Sequence, residues 1–179
     1  MSNIIILAGS ERKDGNTDML VDAFKKGAAK KNKVEVISAR SHDINPCIGC
    51  NSCFTRLGNE CFQKDDMQMV YEKLKTADVL VIASPVYFYG ISAQLKAIID
   101  RLHTPMRNEF PIKKLALILV GAATLPELFD SIKLQYKLVL SFFHLEDAGM
   151  VLVQGAKDIG DVKNTDGLDR AYELGLSIG

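Results

Sequence analysis

Two stretches of this chain carry residue types whose spacing could do chemistry. The first is Gly9-Ser10-Glu11-Arg12-Lys13-Asp14-Gly15-Asn16-Thr17, which follows the apolar run Ile4–Ala8 and leads into a helical pattern. A strand that ends in a small-residue loop and turns straight into a helix aims backbone N–H groups and the positive end of the helix dipole at one point. That arrangement holds phosphate. Ser10, Asn16 and Thr17 offer hydroxyl or amide donors, Arg12 a charged fork, and Gly15 a backbone that can turn and approach closely. Neither the G-x-x-x-x-G-K-[ST] of a triphosphate loop nor the G-x-G-x-x-G of a dinucleotide fold can be read here. The alternative is an ordinary helix start with Asn16 as N-cap.

The second stretch is Cys47-x2-Cys50-x2-Cys53-x7-Cys61. All four cysteines fall in one segment, from about Ala39 to Lys64, that shows little periodicity, and loops of that length inside a compact domain are usually functional. Their clustering argues for one local site and against a secreted disulfide framework. By ligand logic the site is a metal centre or a group of free, redox-active thiols. Zinc is the weaker metal, because structural zinc sites more often use two separated pairs. His42, His103 and His144 are isolated and read as surface or interface groups.

The bulk composition limits what else the chain can be. Its 179 residues are enough for one domain with a single core, spanning 1–179. Lys plus Arg equals Asp plus Glu at 22 each, so there is no general field for nucleic acid or an anionic membrane. With 47% apolar residues and no repeats, disorder is not expected. The N-terminus has no basic leader and no apolar run approaches bilayer length, so the chain reads as cytoplasmic.

The elements that must position these residues alternate. Strands are expected at Ile4–Ala8, Val34–Ile37, Val79–Ala83, Leu115–Val120 and Met150–Val153. Helices are expected from the loop to about residue 31, from Asp65, over Ile91–Leu102, from Thr124, and over Thr165–Ser177. Asp65 with Gln68 and Thr124 with Glu127 read as capping boxes. Alternating strands and helices imply a parallel sheet covered on both faces, a three-layer α/β/α sandwich. Five strands favour the doubly wound flavodoxin-like order 2-1-3-4-5. Its ligand site lies beyond the C-terminal ends of strands one and three.

Strand three runs into Ser84-Pro85-Val86-Tyr87-Phe88-Tyr89-Gly90. Three aromatics beside a phosphate site suit a planar conjugated ligand, with Pro85 and Gly90 shaping a backbone that can bond along a ring edge. A flavin mononucleotide combines one phosphate with one large ring. The same aromatics would equally suit a subunit interface. A phosphoaccepting receiver domain shares the strand order but needs acids where this chain has Gly9-Ser10 and Ser84-Pro85.

Gly9-Ser10-x-Arg12-x-x-Gly15-Asn16-Thr17, Ser84-Pro85-Val86-Tyr87 and Gln94-Leu95-Lys96-x-x-x-Asp100-Arg101 together resemble the NADPH-dependent FMN reductase and iron–sulfur flavoprotein group of the flavodoxin superfamily. The resemblance implies an FMN phosphate on Ser10, Arg12, Asn16 and Thr17, with the isoalloxazine ring along Pro85 to Gly90. Asp100 and Arg101 receive no role and read as solvated or interface charges. Cys47, Cys50, Cys53 and Cys61 resemble the compact motif that holds a 4Fe-4S cluster in iron–sulfur flavoproteins. Ala122-Ala123-Thr124-Leu125-Pro126 departs from the glycine-rich stretch of that subgroup.

The expected activity is that of an NAD(P)H-dependent FMN oxidoreductase with a small-molecule or protein acceptor and no side-chain acid or base. The alternative is an iron–sulfur electron carrier. A flavin left partly exposed on so small a domain leads us to expect a homodimer or homotetramer.

Overall fold

The computed structural model describes residues 1–178. Strand β1 (Asn3–Ala8) is followed by α1 (Asn16–Ala28), β2 (Lys33–Ser38) and α2 (Met67–Leu74). Next come β3 (Val79–Tyr87), the short β4 (Gly90–Ile91), α3 (Ala93–Asp100) and β5 (Lys114–Val120). The chain ends with α4 (Asp130–Phe143), β6 (Glu146–Val153) and α5 (Gly167–Ser177). Five strands pair in parallel in the order β2-β1-β3-β5-β6, and β4 folds back antiparallel on the end of β3. This is the expected flavodoxin-like order.

Alternation along each strand divides the core into two halves, because successive side chains leave opposite faces. Ile5 and Leu7 join a cluster with α2, α3 and α4, whereas Ile4, Ile6 and Ala8 join one with α1 and α5. The central strands are apolar on both faces because both faces are covered. No helix among the described residues is long and apolar enough to cross a membrane.

Several boundaries differ from the sequence reading. Strand β3 does not stop at Ala83. It continues through Tyr87, because Ser84 and Pro85 stay in register with Leu119 and Val120 of β5. Helix α4 does not begin at a Thr124–Glu127 box. Residues 126–129 form a turn that buries Leu128 and Phe129, and the helix starts at Asp130. Core burial there outweighs a local cap. The Asp65–Gln68 box is also absent: α2 begins at Met67 and Gln68 reaches forward to Glu72.

Helices α1 and α5 cross at two glycines. A Cβ on Gly175 would collide with the Phe24 carbonyl oxygen, and one on Gly27 with that of Tyr172. Backbone touches backbone here, so neither helix can yield by rotating a side chain. Gly175→Ala should therefore destabilise the fold by about 2 kcal/mol or more despite alanine's better helix propensity. Thermal unfolding would show this as a Tm lower by about 4–8 °C.

Candidate functional site

The phosphate-type loop and the aromatic segment meet at the C-terminal edge of the sheet. Ala8 lies opposite Ala83, and the Gly9 N–H donates to the Ala83 carbonyl at 2.8 Å. The crossover after β1 runs to α1 on one face, and the crossover after β3 runs to α3 on the other. A crevice therefore opens between them, as at any switch point. Gly9 has no room for a side chain, since a Cβ would lie 2.6 Å from Ser92 Oγ and 2.7 Å from Leu95 Cβ at the start of α3.

At the start of α1, the N–H groups of Asn16, Thr17 and Asp18 have no acceptor among the described residues; the helical ladder begins with the Met19 N–H on the Gly15 carbonyl at 3.0 Å. Ser10 and Thr17 are buried. Ser10 Oγ accepts from the Arg12 N–H at 3.2 Å and donates to the Arg12 carbonyl at 3.1 Å, and Thr17 makes no side-chain bond among the described residues. Asp18 would repel an anion here, but its carboxylate is taken up by Arg40 at 2.9 Å and by the Asp14 N–H at 2.9 Å. The Asp18 hydrogen bond in turn holds the Arg40 guanidinium above its ordinary pKa. Arg40 also donates to the Ser10 carbonyl at 2.9 Å and closes the back of the loop.

Two expected roles are filled differently. The left-handed turn in the loop is made by Asp14 at φ 56°, whereas Gly15 is extended at φ −77° and serves as N-cap. Asn16 is not the cap. Its Oδ1 accepts from the N–H groups of Gly160 at 3.0 Å and Val162 at 3.3 Å, and its Nδ2 donates to the carbonyls of Asp158 at 2.9 Å and Ala156 at 3.3 Å. Its side chain is thus spent on clamping the loop after β6, leaving only the backbone N–H unpartnered. Arg12 donates to the Lys157 carbonyl of the same loop at 3.0 Å. That fourth wall, residues 156–161, had no signal in the sequence beyond its Gly and Asp content.

The aromatic segment is a hairpin. Val86 pairs with Ile91 and Tyr87 with Gly90 across a two-residue turn in which Phe88 and Tyr89 both have positive φ, 48° and 63°. Such turns favour Asn-Gly, so two aromatics held there store backbone strain. The left-handed positions fall on the aromatics, not on Gly90. Tyr87, Phe88 and Tyr89 are exposed, while Ser84 is buried and accepts the Ser92 N–H at 3.0 Å. The hairpin is therefore fixed at its base and presents its rings outward.

The cysteine segment lies against the C-terminal end of α3, beside Asp100, Arg101 and His103. Cys47, Cys50, Cys53 and Cys61 line one cavity of about 180 Å³ together with Tyr71, Arg101 and Thr104. Cys47 and Cys50 are exposed and the other two half-buried. Hydrogen bonding from Ser52, 3.3 Å away, holds the Cys50 thiol below its ordinary pKa. Burial pushes the Tyr71 hydroxyl up to about 12, with Arg101 opposing and the Cys61 and Cys53 sulfurs adding. Among the described residues no three His, Cys, Asp or Glu side chains converge closely enough to hold a single ion. The all-sulfur donor set spread around one cavity fits a polynuclear iron–sulfur group better than a mononuclear zinc. The buried Nε of Arg101, without an acceptor, is a further donor on that wall.

Arg101 is not a solvated charge. It is buried, and its Nη1 donates to the buried Asp65 carboxylate and to the Asn45 carbonyl at 3.1 Å. Asp65 also accepts the Asn45 N–H at 2.9 Å, so this pair ties the stem of the cysteine segment to the end of α3. Burial raises the Asp65 pKa, but the Arg101 and Asn45 hydrogen bonds outweigh it and the net shift is downward. A lowered folded-state pKa means the pair's contribution is full above the ordinary carboxylate range near ~3.9 and is lost as pH falls through the folded value. Asp65→Asn should leave Arg101 buried and uncompensated. The expected cost is about 3 kcal/mol, read as a Tm lower by about 6–12 °C at neutral pH, with the gap to wild type closing in acid.

Comparison with known proteins agrees with this geometry. The family model for NADPH-dependent FMN reductase matches residues 2–156. An iron-sulfur flavoprotein of Methanocaldococcus jannaschii is 33% identical over 190 residues, covering 98% of this chain and 94% of that protein. One of Methanosarcina thermophila is 33% identical over 118 residues, covering 65% of this chain and 59% of that protein. Among solved structures, an NAD(P)H:quinone oxidoreductase from Methanothermobacter marburgensis superimposes with a TM-score of 0.76 at 16% identity, covering 99% of this chain and 96% of that one. At that identity the superposition speaks for the fold. The family match and the near end-to-end relative speak for the chemistry: the chain belongs to the NADPH-dependent FMN reductase family and is an FMN-dependent oxidoreductase.

Proposed function

We propose that the enzyme takes a hydride from NADH or NADPH and passes the electrons to a second acceptor, a small molecule or a protein. The observation that carries this reading is the crevice at the C-terminal ends of β1 and β3, with three unpartnered N–H groups at the start of α1 on one side and the aromatic hairpin on the other. The N–H groups of Asn16, Thr17 and Asp18, with the hydroxyls of Ser10 and Thr17, would hold the FMN phosphate. Arg12 would reach it by leaving the Lys157 carbonyl, and Ser10 by turning its hydroxyl from the Arg12 carbonyl. Backbone along Pro85 to Gly90 and the rings of Tyr87 and Tyr89 would hold the isoalloxazine. When bound, the flavin supplies the hydride-accepting and electron-releasing chemistry; the chain's part is position, charge and exclusion of water.

A second reading, an iron–sulfur electron carrier, is favoured by the cavity shared by Cys47, Cys50, Cys53 and Cys61. There the four thiolates would hold a 4Fe-4S cluster that passes single electrons. The named relatives are iron-sulfur flavoproteins, which supports this reading.

Ser10→Ala combined with Thr17→Val should weaken FMN binding about 10- to 100-fold, since each removes a donor to an anion. Quenching of flavin fluorescence on titration measures it, and an unchanged affinity would place the phosphate elsewhere. The two readings separate on anaerobically purified protein. A flavin spectrum without iron, bleached quickly by NAD(P)H, supports the reductase. About four irons and four acid-labile sulfides per chain, with slow bleaching until a reduced protein donor is added, supports the carrier.

A further inference from the structure

The side chain of Arg101 is anchored from both ends and still carries an unused donor. Its backbone carbonyl accepts from the Tyr71 hydroxyl of α2 at 2.9 Å. Its Nη1 donates to the Asp65 carboxylate and to the Asn45 carbonyl at 3.1 Å. Its Nε is closed off from water and has no acceptor among the described residues. Two other buried polar atoms stand alone in the same way, Asn3 Oδ1 and Ser38 Oγ, but both belong to neutral groups and neither residue lines the cysteine cavity. A buried donor on a charged group is the costliest kind to leave unmade, and proteins keep one where it has a redox or binding task.

The other polar side chains around that cavity are already spent. The Tyr71 hydroxyl is on the Arg101 carbonyl, Thr104 donates to the Asn59 carbonyl at 3.1 Å, and Gln63 donates to the Pro46 carbonyl at 3.3 Å. Asp100 is paired with Lys96, and His103 is exposed. Arg101 is thus the one buried cation among the residues that line the cavity. Burial lowers its pKa, but the hydrogen bond and charge of Asp65, with the charges of Cys61 and Tyr71, outweigh burial, and the net shift is upward. The guanidinium keeps its charge, and the Cys61 sulfur lies near enough to act on it.

We propose that Arg101 is the charged donor to an iron–sulfur group held by Cys47, Cys50, Cys53 and Cys61, its Nε donating to a sulfur of that group and raising its reduction potential. The proposal rests on the carrier reading above. Reduction brings one electron from a reduced protein donor and leaves the group one unit more negative, with no bond to the chain made or broken. A hydrogen bond to sulfur and a nearby positive charge both favour the more negative state, so both raise the potential. Asp65 offsets part of the charge, but it also holds the planar fork in one orientation, so that Nε has a fixed direction. A lysine could reach Asp65 and would then have no second donor fixed in this way.

A redox titration of the anaerobically purified full chain tests this, with the iron–sulfur signal followed by electron paramagnetic resonance and iron and acid-labile sulfide counted on the same sample. Arg101→Lys keeps a cation for Asp65 and removes Nε. It should hold as much iron as the wild type, while the oxidised-to-reduced ratio at a given potential rises about tenfold, a midpoint lower by about 59 mV for one electron. Asp65→Asn combined with Arg101→Met removes the pair together and leaves no buried charge uncompensated. It should lower the midpoint by less, because the Asp65 charge goes with it, and it is read in place of Arg101→Lys should that variant fail to fold. Thr104→Val removes a lining hydroxyl already spent on Asn59 and should leave the midpoint in place. Folded variants with an unmoved midpoint, or with iron lost and the midpoint of the remainder unmoved, overturn the proposal and leave the carrier reading standing. A wild type that holds no iron even after refilling with iron and sulfide overturns the carrier reading and the proposal with it. None of these outcomes is read from activity.

Discussion

Everything at the functional edge depends on β1 and β3 being neighbours in the middle of a parallel sheet while their following helices leave on opposite faces. The Gly9 N–H on the Ala83 carbonyl is the last bond of that ladder, and the two chains diverge beyond it. Divergence leaves backbone groups at the start of α1 without the partners they would have in a continuing sheet. It also gives Gly9 its tight contact with Ser92 and Leu95, because α3 must pass close to the strand it does not follow. The unpartnered donors of this crevice are therefore a consequence of topology, and the side chains around it adjust their charge. Asp18 shows the adjustment: an acid at a helix start stabilises the helix, and Arg40 removes the repulsion it would exert on a bound anion.

The cysteine segment is held by a different principle. It has no strand or α-helix of its own, only short turns at Ser52–Phe54 and Leu57–Asn59, and left-handed residues at Gly49, Asn51, Gly58 and Asn59. What fixes it is polar and lies at its stem. Asp65 and Arg101 form a buried ion pair, Asp43 and Asp66 exchange bonds at 2.8 and 3.0 Å, and Thr104 donates to the Asn59 carbonyl at 3.1 Å. Buried pairs of this kind add little net stability but enforce one arrangement. A segment that must bring four thiols around one cavity, with little core to bury, depends on that kind of specificity.

Much of this was legible in the sequence, and the misses have a common cause. The strand order, the switch point and the clustering of the cysteines follow from periodicity and spacing, which are local. Arg101 was misread because its partner is 36 residues away, and an acid–base pair at that separation leaves no pattern. The Asn16 side-chain clamp left no signal for the same reason, since its contact with residues 156–162 spans nearly the whole chain. The extension of β3 through Pro85 was hidden because proline ordinarily ends a strand, and only pairing with Val120 shows it does not. Thr124 with Glu127 satisfied the capping pattern but lost to the burial of Leu128 and Phe129, which no window of four residues can weigh.

The two faces of the sheet are built to different tolerances, and the difference matches what each carries. On one face α1 and α5 meet backbone to backbone through Gly27 and Gly175, leaving no side chain between them to change rotamer. Helix α1 follows the loop we propose for the phosphate, so its N–H groups are aimed by a contact that cannot slacken; preorganised donors are worth more because they cost nothing to orient. On the other face α4 rests on the sheet through Ile132 and Tyr136 and leaves a groove beside it. A close-packed interior does not keep such volume for its own sake. The face that aims the start of α1 is packed through backbone, and the face that carries α4 is packed through side chains.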